Sequence, residues 1–313
     1  MSVPVPFDRL MQRLRAAGEP TRFRMLAACA TGELTVGELC EVLEQSQPRV
    51  SRHLRLLCDA GLLVRFREEH WVYYRTPVRG AGADAVRELL AGLDAGDPIT
   101  GSDRLRAAKV RADRAAQAAA HLRGTATGAA RDGGGAGPGD SLQAALLEEI
   151  GKDSIGELLD VGTGTGRILQ WLAPRATQAT GIDLESEMLR IARTTVHAAG
   201  LSHCVLRRGD MYALPFAAAS FDTIAMDRVL AEARRPQAVL AEAARLLKPG
   251  GRLIVIEDFD RLEPLAARNA LATLREWLAR ADLHCERLRP IEAGNLHLIL
   301  AIGRRQGALD AAA

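Results

Sequence analysis

A short apolar strand that runs into a glycine-rich turn constrains this chain more than any other feature. The segment LLDVGTGTG occupies residues 158–166. Its glycines let the backbone approach a ligand closely, and the turn leads into the N-terminus of a helix. From Ser141 onward, short apolar strands alternate with helical segments, which is typical of βαβ units. The second half of the chain is therefore predicted to fold as an α/β domain with a ligand at the glycine turn.

Three regions follow one another along the chain. The length of 313 residues suffices for two domains with separate cores. Residues 1–94 combine helical periodicity with a β-rich end, whereas residues 141–313 carry the strand–helix alternation. Residues 95–140 begin as an Ala/Arg-rich helical stretch and end near a glycine run, GGGAGPG, which is typical of a flexible connector. We predict two domains, 1–94 and 141–313, and a linker of residues 95–140.

Charge and cysteine usage limit the classes of partner. The net charge of +2 means that any nucleic-acid site has to be a local basic patch. The five cysteines include no CxxC pair, so neither a zinc site nor a disulfide framework is predicted. No apolar run approaches the roughly 20 residues of a membrane span, and the N-terminal segment lacks the pattern of a signal peptide. A cytoplasmic protein without metal or membrane association is expected.

Residues 35–61 carry the signals of two consecutive helices. Thr35 and Glu38 have the spacing of a capping box, in which each side chain accepts a hydrogen bond from the other residue's backbone. They predict a helix over residues 36–44. After a short turn, Ser46 is expected to cap a second helix, with Pro48 in a first turn where the missing N–H costs nothing.

The second helix has one apolar face and one polar face. Val50, Leu54 and Leu57 recur at helical spacing and are predicted to face the core. Segments 62–66 and 71–75 follow as a two-stranded wing. Arginine and glutamine can contact guanine and adenine edges through two hydrogen bonds. The candidate DNA-contacting residues are Ser46, Gln47, Arg49, Ser51, Arg52, His53, Arg67 and His70.

Residues 19–75 resemble the winged helix-turn-helix repressors of the ArsR type, in the segments EPTRFRML, SQPRVSRHLRLLCDAGLL and REEHWVYYRT. The resemblance implies double-stranded operator DNA as the partner and a homodimer built from helices at 8–17 and 84–93. A two-fold dimer implies an inverted-repeat operator with half-sites about one helical turn apart. Founding members bind metal or arsenic through Cys-Val-Cys in the first motif helix. This chain has Thr35-Val36-Gly37 there, so direct metal sensing is not expected.

Two acidic residues beside the glycine turn indicate the kind of ligand. Asp183 lies about twenty positions downstream, at the end of the next predicted strand, where an acid suits the two ribose hydroxyls. Arg167 occupies the place where a dinucleotide fingerprint requires glycine. Asp160, before the turn, would repel a pyrophosphate but suits an α-amino group. These features oppose a dinucleotide site.

From Ser141 to Arg304 the chain resembles class I S-adenosylmethionine-dependent methyltransferases, in the segments LLDVGTGTG, GIDLESEMLRIAR, RRGDMYALPF, SFDTIAMDRVL and RLLKPGGRLIVIED. The resemblance implies a Rossmann-like fold with a seven-stranded, mostly parallel sheet that binds S-adenosylmethionine or S-adenosylhomocysteine. For Leu184, Met188 and Met211, ordinary core packing is an equally good interpretation. The ligand-binding residues carried over by position are Asp160, Gly162, Thr163, Gly164, Gly166, Asp183, Leu184, Met188, Asp210, Met211 and Asp227.

The sequence shows no methyl-acceptor site. Many small-molecule methyltransferases carry Val-Leu-His after the fourth strand, whereas this chain has Val229-Leu230-Ala231. The whole architecture resembles the S-adenosylhomocysteine-responsive repressors of methionine-cycle genes, which implies a ligand sensor that does not catalyse methyl transfer. Two alternatives stay open. The chain is either a methyltransferase that also binds DNA, or a repressor whose second half serves only as a dimerisation scaffold.

Overall fold

The computed structural model describes residues 4–124, 138–151, 153–266, 269–293 and 296–306. The chain divides into two compact units, one made of residues 1–118 and 196–202, the other of residues 119–195 and 203–313. The predicted domain boundaries at residues 94 and 141 stay predictions, and most of the glycine run lies outside the described residues. Within the described residues, no helix is both long enough and apolar enough to cross a membrane.

The first unit combines helices with a small antiparallel sheet of order β1-β3-β2. The sheet holds the wing, in which β2 and β3 pair from Val64↔Arg75 to Glu68↔Trp71. The elements are α1 (Phe7–Ala17), α2 (Pro20–Ala30), β1 (Leu34–Thr35), α3 (Val36–Leu43), α4 (Gln47–Asp59), β2 (Val64–Glu68), β3 (Trp71–Arg75), α5 (Gly80–Ala91) and α6 (Pro98–Gly124).

The local signals of the helix-turn-helix act as the sequence predicts. Thr35 Oγ1 accepts from the Glu38 backbone N–H at 3.2 Å, and Glu38 Oε2 accepts from the Thr35 N–H at 2.7 Å. The three apolar residues predicted to face the core are fully buried in α4. Ser46 occupies the N-cap position, but its side chain makes no capping hydrogen bond, so the expected Ser46 cap is wrong in that detail.

Helix α6 begins inside the stretch that the sequence predicts to be a linker, and it carries buried charges. Asp103 is only 1% exposed. Its carboxylate accepts two hydrogen bonds of 2.7 Å from the Arg24 guanidinium on α2 and one of 2.7 Å from Arg106. A buried carboxylate is tolerated only when it is paired and hydrogen-bonded in this way. The first part of α6 is therefore a packed element of the first unit.

Further along α6, an arginine contacts the helix-turn-helix itself. Arg114 Nη1 lies 2.9 Å from Glu38 Oε1, the acid of the capping box on α3. The same guanidinium lies over the Tyr73 ring of the wing, 5.6 Å from its centroid. Arg114 thus joins α6 to both the first motif helix and the wing.

The second unit is built on a sheet of order β6-β5-β4-β7-β8-β10-β9. Its strands pair in parallel except β10, which is antiparallel to both neighbours. The predicted α/β fold with a seven-stranded, mostly parallel sheet is confirmed. The elements are α7 (Pro138–Ile150), β4 (Gly156–Val161), α8 (Arg167–Leu172), β5 (Ala176–Asp183), α9 (Ser186–Ala198), β6 (Cys204–Arg208), β7 (Phe221–Asp227), α10 (Pro236–Leu246), β8 (Leu247–Asp258), α11 (Phe259–Leu262), α12 (Ala270–Arg280), β9 (Leu283–Ala293) and β10 (Leu296–Arg305).

The strand order reverses direction at β4. The chain moves outward from β4 through β5 to β6, and then returns to the other side of β4 as β7. The crevice at the carboxyl ends of such strands is the usual ligand site of an open α/β sheet. The four acids Asp160, Asp183, Asp227 and Glu257 lie at or near the carboxyl ends of β4, β5, β7 and β8.

Candidate functional site

A cavity of about 500 Å³ opens at the carboxyl ends of β4 and β5, a volume in the usual range for small-ligand sites. Five of the predicted ligand-binding residues line it: Gly162, Asp183, Leu184, Asp210 and Met211. The polar residues Glu185, Tyr212, Glu232 and Arg234 also line the cavity, and the sequence analysis gave them no ligand-binding role. Glu185 directly follows Asp183 and Leu184 at the end of β5, and this adjacency is the signal that could have identified it.

The glycines of the turn are required by the backbone. Gly162, Gly164 and Gly166 have φ values of +68°, +53° and +87°, in the left-handed region that favours glycine. A Cβ on Gly162 would approach Val229 Cγ2 to 2.6 Å, whereas a Cβ on Gly164 would meet only the Gly162 carbonyl oxygen, at 4.0 Å. The turn therefore has no room for a side chain at Gly162 but has room for one at Gly164.

Asp183 is held in place by the turn. One carboxylate oxygen accepts from the Gly164 backbone N–H at 2.8 Å, and the other accepts from the Glu185 N–H at 2.9 Å. Because each carboxylate oxygen has two lone pairs, both can accept one further hydrogen bond. The arrangement fits a pair of ribose hydroxyls at the end of β5.

Asp160 is fully buried and only half satisfied. Its Oδ2 accepts a 2.6 Å hydrogen bond from the Thr163 hydroxyl, which gives predicted residue Thr163 a role inside the turn. Its Oδ1 has no hydrogen-bond partner among the described residues. Burial, reinforced by Asp227 and Asp183, raises the pKa of Asp160 to about 8. A buried carboxyl oxygen without a partner can accept a hydrogen bond from a ligand donor such as an amino group.

Asp227, at the end of β7, contacts two guanidinium groups. Arg167 Nη2 lies 2.5 Å from one carboxylate oxygen, and Arg228 Nε lies 3.3 Å from the other. The Arg167 guanidinium also lies over the Trp171 ring, 5.2 Å from its centroid. Arg167 was noticed in the sequence only as a departure from a dinucleotide fingerprint, and Arg228 was missed. Arg228 is adjacent to Asp227 in the sequence, whereas the Arg167–Asp227 pairing spans 60 positions and has no local signal.

Glu257 is a further buried acid that the sequence analysis missed. It is 0% exposed, and its carboxylate accepts from the Leu230 N–H at 2.6 Å and the Ala231 N–H at 3.4 Å. Burial raises its pKa to about 7. These hydrogen bonds hold the segment after β7 in place, and Val229 in that segment packs against Gly162. Its position near the end of the apolar strand IVIED is the signal that could have found it.

The remaining predicted ligand residues lie in different surroundings. Leu184 is 55% exposed, so the interpretation of core packing is wrong for that residue. Met211 is half-buried, and it both lines the cavity and packs against the apolar core. Met188, also half-buried on α9, does not line the cavity.

The predicted DNA-contacting residues are mostly exposed. Ser46, Gln47, Arg49, Ser51 and Arg52 are exposed around the start of α4, and Arg67 and His70 at the wing. His53 differs, because its side chain is only 13% exposed and its Nδ1 lies 3.7 Å from Glu19 Oε2. Burial lowers the pKa of His53. The expected place of His53 on the open polar face is therefore wrong. Trp71 on the wing is exposed, and the sequence analysis did not include it among the candidate DNA-contacting residues. Among the described residues, no cluster of three or more His, Cys, Asp and Glu forms a metal site.

Asp160→Asn is expected to flatten the pH dependence of stability. The pKa of Asp160 in the folded chain, about 8, lies above its ordinary value of 3.8, so the folded state keeps a proton that the unfolded chain has lost. The contribution of protonated Asp160 to the free energy of unfolding is complete below pH 3.8 and is lost as pH rises to about 8. Over that range the free energy of unfolding falls by at most about 1.4 kcal/mol per pH unit. Denaturant melts of the wild type, Asp160→Asn and the exposed control Asp260→Asn at pH 5–9 measure it. Equal slopes in all three proteins would contradict the burial effect.

Both halves of the chain match known families. The description "Bacterial regulatory protein, arsR family" matches residues 19–64, and "Methyltransferase domain" matches residues 159–255. The chain is 41% identical over 98 residues to the arsenic resistance transcriptional regulator ArsR1 of Pseudomonas putida, a match that covers 31% of this chain and 75% of that protein.

Two methyltransferases match the second half. The phosphatidylethanolamine N-methyltransferase of Cereibacter sphaeroides is 33% identical over 165 residues, covering 48% of this chain and 81% of that enzyme. The demethylmenaquinone methyltransferase of Tropheryma whipplei is 41% identical over 113 residues, covering 36% of this chain. This chain spans only 46% of the length of that second enzyme. The chain therefore belongs to the ArsR family of bacterial regulatory proteins through its N-terminal helix-turn-helix, and it carries a methyltransferase domain in its second half.

Proposed function

We propose that the protein is a DNA-binding transcriptional repressor whose methyltransferase domain binds S-adenosylhomocysteine or S-adenosylmethionine and thereby controls operator affinity. The observation that carries the proposal is the cavity at the carboxyl ends of β4 and β5, which is lined by Gly162 of the glycine turn and by Asp183. Asp160 lies two residues before Gly162, and its buried Oδ1 has no hydrogen-bond partner among the described residues. These groups suit the amino group and the ribose of an adenosyl amino acid. The target genes in this proposal are those of the methionine cycle.

A homodimer is part of the proposal. Phe7, Leu10 and Leu14 on α1 are 74%, 45% and 46% exposed, and they recur at helical spacing on one face. An apolar stripe of this kind supports self-association through α1. A ligand alters DNA affinity only to the extent that it prefers one arrangement of such a dimer, typically by about 1–3 kcal/mol.

Calorimetry and a gel-shift assay on the full chain test the proposal together. S-adenosylhomocysteine and S-adenosylmethionine are titrated into the protein, and an inverted-repeat duplex selected from a random pool is titrated with and without each ligand. We expect ligand binding and a change in operator affinity of about 5–150-fold. Ligand binding that leaves operator affinity unchanged would contradict the regulatory proposal.

A methyltransferase that also binds DNA is the second candidate, and its support is the likeness to two methyltransferases. When bound, S-adenosylmethionine supplies an activated methyl group, so proximity and orientation alone can suffice for transfer. Turnover of S-adenosylmethionine with an added acceptor would favour this candidate. The third possibility, a dimerisation scaffold, predicts that Asp183→Ala leaves the response of the operator complex unchanged.

Arg52→Ala is expected to weaken operator binding about tenfold or more, since one bidentate base contact contributes about 1–3 kcal/mol. Arg52 is exposed on α4, so its loss should leave ligand affinity and folding intact. A gel shift compares it with Arg280→Ala, which removes another exposed arginine, from α12. If both variants bind the operator like the wild type, Arg52 does not contact DNA.

A further inference from the structure

One face of the wing carries aromatic rings and guanidinium groups in mutual contact. Phe66 on β2 and Tyr73 on β3 lie directly opposite each other in the hairpin, and their rings stack with centroids 5.5 Å apart. The guanidinium carbon of Arg75 lies 5.8 Å from the Phe66 centroid, and that of Arg114 lies 5.6 Å from the Tyr73 centroid. Both distances are those of cation–π contacts. These four residues are called the wing cluster below.

Arg114 is the member of the wing cluster that comes from outside the hairpin. It lies on α6 and is only 5% exposed. Its Nη1 donates to both carboxylate oxygens of Glu38, at 2.9 and 3.0 Å, and such charge-assisted hydrogen bonds are the strong ones. Glu38 in turn closes the capping box at the start of α3 by accepting from the Thr35 N–H. Arg114 therefore holds the wing at a fixed place relative to the helix-turn-helix.

The hairpin depends on contacts of this kind because a two-stranded hairpin is only marginally stable by itself. In its sheet the wing is extended only by β1, a strand of two residues. One face of β3 packs on the apolar core of the first unit through Tyr74. Tyr73 points to the other face and is 1% exposed, and Arg114 is one of the groups that cover it. Loss of the Arg114 side chain should therefore let the wing move relative to α4.

The wing and α4 have to meet the same DNA duplex together. Arg67 is exposed at the wing and Arg52 is exposed on α4, and two contacts bind best when their relative position is fixed in advance. We propose that Arg114 is a positioning residue for operator recognition, which holds the wing where Arg67 meets DNA while α4 lies in the major groove. The inference rests on the DNA binding of the proposed function. It adds that α6, a helix outside the helix-turn-helix, acts directly on operator affinity.

A double-mutant cycle on the full chain, measured by gel shift with the selected duplex, tests the inference. In the wild-type background, Arg67→Ala should weaken operator binding about tenfold, as the loss of one arginine contact with DNA does. In the Arg114→Gln background the wing is displaced, so Arg67→Ala should cost less than about twofold. Arg52→Ala should cost about tenfold in both backgrounds, because Arg114 contacts the wing and α3 and not α4 among the described residues. A general loss of stability would not produce this difference.

Arg106→Gln serves as the control background. Arg106 is another arginine of α6 that contacts α3, but through the Val42 carbonyl oxygen, at 2.7 Å, instead of through Glu38. Arg67→Ala should still cost about tenfold there. Hydrogen–deuterium exchange in α2 verifies that each variant has a folded first unit, and exchange in β2 and β3 should be faster in Arg114→Gln than in Arg106→Gln.

The inference is overturned if Arg67→Ala costs as much in the Arg114→Gln background as in the wild type, or if it costs nothing in the wild type. Should Arg114→Gln fail to fold, Arg114→Lys takes its place. Lysine retains the charge facing Glu38 but not the planar group over Tyr73, so the cost of Arg67→Ala should be intermediate, and an unchanged cost overturns the inference equally. Ligand binding would stand in each of these cases. Failure of the wild type to bind any duplex would instead contradict the proposed function.

Discussion

Gly164→Val protein is expected to lose about a hundredfold or more of its affinity for both nucleosides while keeping its fold. A new Cβ at Gly164 would meet only the Gly162 carbonyl oxygen, at 4.0 Å, so we expect the valine side chain to fit without disturbing the protein and to occupy the space that a ligand needs beside the turn. The loss corresponds to about 2.8 kcal/mol or more of binding free energy. Calorimetry measures the affinity, and a gel shift should show operator binding that no longer responds to ligand.

Backbone strain has to be separated from this blockade. Gly164 has a φ of +53°, a conformation that costs a β-branched residue about 1–3 kcal/mol. Gly250 offers a matched control, since its φ is +75° and a Cβ there meets nothing within 4 Å. Gly250→Val should lose a similar amount of stability but bind both nucleosides normally. If Gly164→Val binds both nucleosides as well as Gly250→Val does, the glycine turn at Gly164 is not part of the nucleoside site.

Asp103→Ala is expected to destabilise the first unit by about 3–5 kcal/mol, because it leaves the guanidinium groups of Arg24 and Arg106 without their buried partner. Hydrogen–deuterium exchange followed by mass spectrometry measures this loss directly in α2 and α6. Faster exchange should appear across both helices, because the ion pairs join them. Operator affinity should fall as the folded fraction of the unit falls.

An exposed ion pair in the same unit provides the comparison. Asp84 pairs with Arg87 on α5, where the arginine is 72% exposed, and such pairs contribute about 0–1 kcal/mol. The rates of hydrogen–deuterium exchange in the Asp84→Ala protein should therefore be almost the same as in the wild type. If Asp103→Ala behaves like Asp84→Ala, α6 is only a tether, as the composition of residues 95–140 predicts.

Short-range signals made the helix-turn-helix predictable. The capping box of Thr35 and Glu38 and the spacing of Val50, Leu54 and Leu57 involve residues within one or two turns of one another, so the pattern determines the local structure. His53 shows where this reasoning ends. Its position on the helix indicates the polar face, but Glu19 and the burial around it depend on how α2 packs against α4.

The amino-acid sequence is enough to predict the two kinds of domain, the glycine turn and the strand ends at which the acids lie, because parallel strands place their carboxyl ends at one edge of a sheet. The partners and the burial of those acids follow from the folded structure alone. Asp227 meets an arginine 60 positions away, and Asp103 meets one 79 positions away. Such long-range pairing and burial determine the pKa values of the carboxyl groups and whether a helix such as α6 is a packed part of its unit. Both properties depend on the local dielectric environment and on partners that the fold brings together.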